Sequence, residues 1–497
     1  MEPKRQVIML MTDTTRQDML GCYGNKNMYT PYLDKLAERG IRYTNAYSCQ
    51  PVCGSARSAI FTGLYPHSNG AVANSMPLGD NVKTIGQRLT DQGIHSAYIG
   101  KYHLDGGDYF GLGRCPEGWD ADYWYDMKCY LDELNDEERI FSRQMKSNQL
   151  GVKAEFTYGH RCADRAINFI ERYAEEDFFL TVSLDEPHGP SLCPEPYASM
   201  YKDYEFPKAP NVWDSLEGKP EYQKVWAGEG RFKNRDEVRI KLPDFLGCNS
   251  FADSELGRVL EAVYQKLPDA LIIYTSDHGE GLESHCLNSK GPSMYNEIAR
   301  IPMIISGRHL PQGVVDSQPV SHIDFVPTIL EYMGLPIPKI LEGNSLLPAL
   351  YNPGIRINEY VVTEFTRYEV DHDGFGGLQI MRGIFDGRYK LVIHLLDDID
   401  EFYDQKTDPY EMNNLIMNPL YEEQKLRLHE ALLEMMNRTR DPFRGYYWER
   451  RSWRRNTQSA GWDYTGYTRQ RENEEYEPRQ LDYDTGLPMK DSVRKKN

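Results

Sequence analysis

The chain has 497 residues, 40% hydrophobic and 27% charged. That is enough for one large α/β unit plus a smaller one, in the composition range of a soluble globular protein. A formal charge of -18 argues against general nucleic-acid binding and against adhesion to anionic lipid by bulk charge, so an anionic ligand must be drawn by local positive groups.

The first residues place Lys4 and Arg5 before a short apolar run, residues 7–12. The run is shorter than the roughly 7–15 residues of a secretory h-region, and no small-x-small cleavage site follows, so it reads as a buried first strand. It ends in Asp13-Thr14. Residues 30–40 have a proline at the start, Leu33, Leu36 and Ala37 on one face, and a glycine stop at Gly40, which predicts a helix. Next comes Cys53-Gly54-Ser55-Ala56-Arg57. If this segment opens a helix, residues four apart share a face, and Arg57 can reach Cys53 beside the positive end of the helix. The competing reading is a buried structural cysteine with an arginine on a carboxylate.

Three more apolar runs end in polar residues. Residues 95–100 lead into Lys101-Tyr102-His103, residues 178–184 into Asp185-Glu186-Pro187-His188, and residues 271–276 into Asp277-His278-Gly279-Glu280. Short continuous apolar runs suit strands buried on both faces of a parallel sheet, where ligands bind beyond the carboxyl ends. Four such ends carrying Asp, His and Lys therefore predict one shared site. Asp13, Asp277 and His278 supply oxygen and nitrogen ligands for calcium, magnesium or manganese. Read singly, Asp13 is equally a turn residue, Lys101 and His103 a solvated strand end, and His188 a structural histidine in a Pro/Gly loop. Lys290 is equally a solvated side chain, and His285 a residue that orients another.

Residues 105–150 read as a lid or rim insertion rich in Gly, Tyr, Trp and Asp. Its segment 119–125 either stacks on a substrate ring or packs. Residues 253–266 have helical spacing at Leu256, Val259, Leu260 and Val263. No run of about eighteen apolar residues offers a membrane span. The nine cysteines are scattered, without a Cys-x-x-Cys pair, which points to a reducing compartment, the cytoplasm.

The texture changes after about residue 355. Residues 382–393 predict two strands joined at Asp386-Gly387, and residues 421–436 an amphipathic helix, so 356–440 reads as a small antiparallel α+β unit behind a catalytic unit at 1–355. The tail 441–497 begins with a basic and aromatic stretch, 444–455. That stretch either packs on a subunit, a second copy of this chain, or rims an anionic pocket. Nucleic acid is the less favoured alternative.

Several motifs together resemble the formylglycine-dependent sulfatases of the alkaline-phosphatase superfamily. Cys53-Gly54-Ser55-Ala56-Arg57 with Thr62-Gly63 is similar to the family's Cys-x-Pro-Ser-Arg signature, with Ser55 in place of proline and Ala56 in place of serine. Thr12-Asp13-Thr14-Thr15-Arg16, Gly100-Lys101-Tyr102-His103-Leu104, the segment 276–290, the strand at 301–305 and Ser321-His322-Ile323-Asp324 resemble further family motifs, in family order from about residue 5 to 435.

The resemblance implies a mostly parallel α/β sheet flanked by helices and a smaller C-terminal α+β unit. It implies a maturation enzyme that converts Cys53 to 3-oxoalanine (formylglycine), whose hydrate is the nucleophile. It implies one divalent metal, calcium foremost with manganese or magnesium as alternatives, on Asp13, Thr14, Asp277, His278 and modified Cys53. Arg57 would orient the hydrate, Lys101 and Lys290 would grip sulfate oxygens, His188 and Lys290 would assist the leaving alcohol, and His103 would help release sulfate. His285 would support the site from behind. The implied substrate is a sulfated carbohydrate or an aryl sulfate. Thr14, where the family often has a second aspartate, keeps phosphonate monoesters and phosphodiesters open.

Overall fold

The structure, a computed structural model, describes residues 4–107, 109–369, 377–455, 481 and 485–488. The strands of its large sheet are β1 (Gln6–Thr12), β2 (Gly40–Tyr47), β3 (His95–Gly100), β4 (Phe178–Ser183), β5 (Leu271–Ser276), β6 (Arg300–Ser306), β7 (Val314–Asp316) and β8 (Val320–Ser321). They form an eight-stranded sheet in the order β3-β4-β1-β5-β6-β2-β7, with β8 on β2. The neighbours β3, β4, β1 and β5 are mutually parallel, while β6 runs antiparallel to β5 and β2.

The apolar runs form strands because side chains alternate between two buried faces. Ile8 and Leu10 pack with α1 (Pro31–Glu38), the helix Tyr158–Tyr173 and the helix Pro243–Lys266. Val7, Met9 and Met11 pack on the other face with Ile60 and Phe61 of α2 (Cys53–Thr62) and with the helix Phe325–Tyr332.

Two expectations change, and one open alternative is decided. The end of α1 does not use Gly40: its C-cap is Arg39 at φ -95°, and Gly40 opens β2, where a Cβ would lie 2.3 Å from Ile305 O. The helix read from residue 253 starts at Pro243. Asp253 sits inside it because its carboxylate accepts the Tyr32 and Leu33 amides at 3.2 and 2.8 Å, closing the open N-terminus of α1. Finally, segment 119–125 packs. Trp119, Tyr123, Trp124 and Tyr125 are buried in the two sheet cores, so none of these rings is free to stack on a ligand.

A second, antiparallel sheet has the order β12-β11-β10-β9, with β9 at Val361–Arg367, β10 at Leu378–Phe385, β11 at Tyr389–His394 and β12 at Glu401–Asp404. The helix Glu422–Arg438 packs against it through Leu428, Leu432 and Met435. The stretch 444–455 lies on this same layer. Trp448 is buried, Arg451 grips Asp400 at 2.8 Å, and Arg454 bonds Glu430 and His429. The stretch thus packs on its own chain, where the sequence predicts a subunit contact or a pocket rim; most of the tail beyond residue 455 lies outside the described residues.

Candidate active site

The strand topology sets Thr12, Gly100, Ser183 and Ser276 along one edge, in the register Gly100–Ser183–Met11 and Thr12–Ser276. The residues that follow each strand therefore emerge side by side. Gly100 makes this tight junction feasible. Its φ is 118°, and a Cβ there would lie 1.9 Å from Ser183 O, a position open only to glycine.

Helix α2 opens at Cys53, with Val52 extended at the N-cap. All its residues are buried, which the small side chains of Gly54, Ser55 and Ala56 permit, and the Gly54 amide is fixed to Asn74 Oδ1 at 2.8 Å. Four groups surround Cys53 Sγ: Lys290 Nζ at 3.0 Å, His278 Nε2 at 3.2 Å, Asp13 Oδ1 at 3.8 Å and Lys101 Nζ at 4.0 Å. Burial and Asp13 push the thiol up, but Lys101, Lys290 and His278 outweigh them and hold it well below its ordinary range. The pocket favours negative charge at position 53.

Arg57 takes a different part from the one its spacing suggests. Its hydrogen bonds go to Lys101 O and Ser183 Oγ, both at 2.7 Å, to Asp13 Oδ2 at 3.1 Å and to Asp277 Oδ2 at 3.2 Å. Among the described residues none goes to Cys53 Sγ. With no exposed side-chain surface, Arg57 ties the ends of β1, β3, β4 and β5 together from beneath.

Asp13, Cys53, Asp277 and His278 each offer a ligand atom, all within 4.8 Å of one another. Burial and the facing Asp13 push Asp277 up to about 7, a strain that a divalent cation between the two carboxylates would remove. Two carboxylates and an imidazole suit such an ion. Thr14, at φ 65°, donates its hydroxyl to Asp13 Oδ1 at 2.5 Å and its amide to Asp277 Oδ1 at 3.2 Å.

Lys101 is shared between Asp13 at 2.9 Å and Asp185 at 3.1 Å. His103 is buried with both ring nitrogens unbonded among the described residues. His188 is lowered to about 4, by burial first and then by Lys101 and Lys290, so its ring is neutral at pH 7.

The residues missed in the sequence are Tyr109 and Asp185. The Tyr109 hydroxyl donates to Asp185, its ring stacks on His188 with centroids 5.1 Å apart, and Lys101 Nζ lies 4.3 Å from its centroid. Asp185 carried a signal, its place at a strand end; Tyr109 carried none among the many tyrosines of its segment. His285 stands elsewhere. It bonds Asp214 at 2.6 Å and stacks on Tyr295, with Lys219 beside it, and among the described residues it bonds none of the groups around Cys53. A further buried group, His67 with Glu364 and Asp441, has its carboxylates held by Arg382 and so reads as an ion-pair network.

The family model described as "Sulfatase" matches residues 5–335. The chain belongs to the sulfatase family. A second model, N-sulphoglucosamine sulphohydrolase, C-terminal, matches residues 288–438 of this sulfatase. It is 40% identical over 489 residues to the uncharacterized sulfatase YidJ of Escherichia coli K12, covering 97% of this chain and 96% of the relative. It is 26% identical to an N-acetylglucosamine-6-O-sulfatase of Bacteroides thetaiotaomicron, across 88% of both chains. In fold it resembles the phosphonate monoester hydrolase of Agrobacterium radiobacter, with a TM-score of 0.72 at 22% identity over 88% of this chain and 96% of that one. The alkaline-phosphatase-like fold and the hydrolysis of sulfate esters follow from this membership.

Proposed function

We propose that this sulfatase releases inorganic sulfate from a sulfated carbohydrate, with position 53 matured to 3-oxoalanine and one divalent cation, calcium foremost, held by Asp13, Asp277, His278, Thr14 and the modified side chain. The observation that carries this reading is the convergence on Cys53 Sγ of two lysines, a histidine and a carboxylate, drawn from three segments of the chain. The cation would supply charge neutralisation at the ester oxygens and at the nucleophile. The modification would supply a geminal diol, a nucleophile from which sulfate can later be expelled without water attacking sulfur.

The chain's own groups then take these parts. Lys101 and Lys290 bind non-bridging sulfate oxygens and stabilise charge that shifts during S–O cleavage. Lys290 and His188 face the leaving oxygen, and the negative ester offsets the two ammonium groups that keep His188 neutral. His103, with both ring nitrogens open, accepts the proton that accompanies sulfate release. Arg57 aligns Asp13 and Asp277 through its hydrogen bonds to both; it is a positioning residue. The relative that acts on N-acetylglucosamine 6-O-sulfate supports a sugar substrate. Nine free cysteines support a reducing compartment, the cytoplasm. No described helix is long and apolar enough to cross a membrane.

A second reading, phosphonate monoester or phosphodiester hydrolysis at the same site, is favoured by Thr14, which leaves the cation one negative ligand fewer than a paired aspartate would. Rates on aryl sulfate, phenylphosphonate and a phosphodiester, ranked by kcat/KM, separate the two. Mass spectrometry of the peptide spanning position 53, after co-expression with a formylglycine-generating enzyme, should show a loss equal to the mass of hydrogen sulfide less that of one oxygen atom. An unmodified peptide in an active enzyme would refute the proposed nucleophile.

A further inference from the structure

A cleft of about 480 Å³ opens off the reactive centre, sharing Thr14, His188 and Lys290 with it. His188 and Lys290 are the two groups assigned to the leaving oxygen, so whatever is attached to that oxygen continues into this space. One wall is apolar, formed by Ile240, Leu242, Phe245 and Leu282, a surface for the C–H face of a sugar ring. Arg239 and Lys241 join the lining from the same strip of chain, both exposed.

These two cations are only lightly engaged, in a chain of net charge -18. Among the described residues Lys241 has no hydrogen bond or ion pair, and the one carboxylate that Arg239 meets is Glu205, at 3.4 Å, already shared with Lys208. The acidic groups of the cleft do not compete for them. Glu283 is held by Arg231 and by Arg235 at 2.9 Å, and Glu280 receives the Ser289 amide.

We propose that this cleft is a subsite for the alcohol portion of the substrate, and that Arg239 and Lys241 bind a second anionic group carried on it, a sulfate or a carboxylate. The preferred substrate is then a sugar with at least two negative groups, of which one is cleaved at the Cys53 site. This rests on the carbohydrate sulfatase reading above.

The test is calorimetric binding to the full chain carrying Cys53→Ser in calcium buffer, so that no ligand is turned over. The probes are glucosamine 6-sulfate and glucosamine 3,6-disulfate. The disulfate should bind more tightly, and adding Arg239→Ala with Lys241→Ala should weaken it about fivefold to tenfold, the worth of two exposed ion pairs, with little loss for the monosulfate. Thermal unfolding checks that the variant is folded. Equal affinity for the two sugars, equal losses on both, or failure of both to bind overturns the subsite. Sulfate release from an aryl ester by the unsubstituted enzyme tests the parent reading separately.

Discussion

Tyr109 joins two of the proposed catalytic groups: its ring lies against His188 and Lys101, and its hydroxyl is bound by Asp185. Tyr109→Phe keeps the stack and loses the hydrogen bond to a carboxylate, so kcat should fall about tenfold at nearly constant KM. Tyr109→Ala should fall further, because the His188 ring loses its backing. Steady-state kinetics on an aryl sulfate decides it; equal effects of the two variants would show that the ring contributes nothing beyond the hydroxyl, and an unchanged Phe variant that the hydroxyl contributes nothing. Thr14 invites the opposite experiment. Thr14→Asp puts a third carboxylate beside Asp13 and Asp277, at a φ of 65° that aspartate tolerates better than threonine. The metal-free variant should be less stable than the parent, and calcium should raise its Tm by more, since binding to the folded state alone adds stability. A calcium shift no larger than the parent's would place position 14 outside the metal site.

The strand ends carry this geometry, and Gly100 and Gly24 separate two costs of building it. Both have strongly positive φ, 118° and 115°, but an alanine Cβ meets Ser183 O at 1.9 Å at Gly100 and open space at Gly24. Gly24→Ala should cost only the left-handed penalty, about 1–2 kcal/mol. Gly100→Ala should exceed it, reaching on the order of 3 kcal/mol, because β3 must part from β4. Urea denaturation of both variants gives the comparison. The same strands show what could be read in advance. Runs buried on both faces announce themselves by continuous hydrophobicity, so β1, β3, β4 and β5 and the shared edge beyond them were legible. Lys101 and Lys290 looked solvated when taken singly; Lys101 gained meaning through that convergence, Lys290 only through the family resemblance. The start of the helix at Pro243 was hidden because Asn249, Ser250 and Asp253 are polar yet buried, each spent on a tertiary contact that no local pattern reveals. Arg57 was legible as a neighbour of Cys53 by helical spacing, but its real partners come from the ends of other strands.

The two sheets meet behind the loop that presents Cys53. The Glu364 amide donates to Cys49 O at 2.6 Å, Thr363 Oγ1 to Ser48 O at 3.0 Å, and Asn74, which holds the Gly54 amide, donates its own amide to Tyr368 O at 3.0 Å. The C-terminal layer therefore braces the segment that positions the nucleophile. Its buried fastening is His67, just beyond α2, against Glu364 of β9, with Asp441 and Arg382 of β10 completing the group. Burial disfavours charge on His67, but Glu364 and Asp441 outweigh it and raise the imidazole above its ordinary 6.5. A group raised on folding contributes stability that is complete below its unfolded pKa and is lost as pH climbs through the folded value. Stability should therefore decline from pH 6.5 upward, and His67→Gln should flatten that slope while costing most at pH 6. Arg382→Met strips the two carboxylates of their guanidinium and should cost about 3–5 kcal/mol at neutral pH, the penalty of an unpaired buried charge. Denaturant titrations of the three proteins at pH 6, 7.5 and 9 give the slopes directly. If parent and His67→Gln decline in parallel, the pH dependence arises elsewhere and this junction holds the two layers by packing alone.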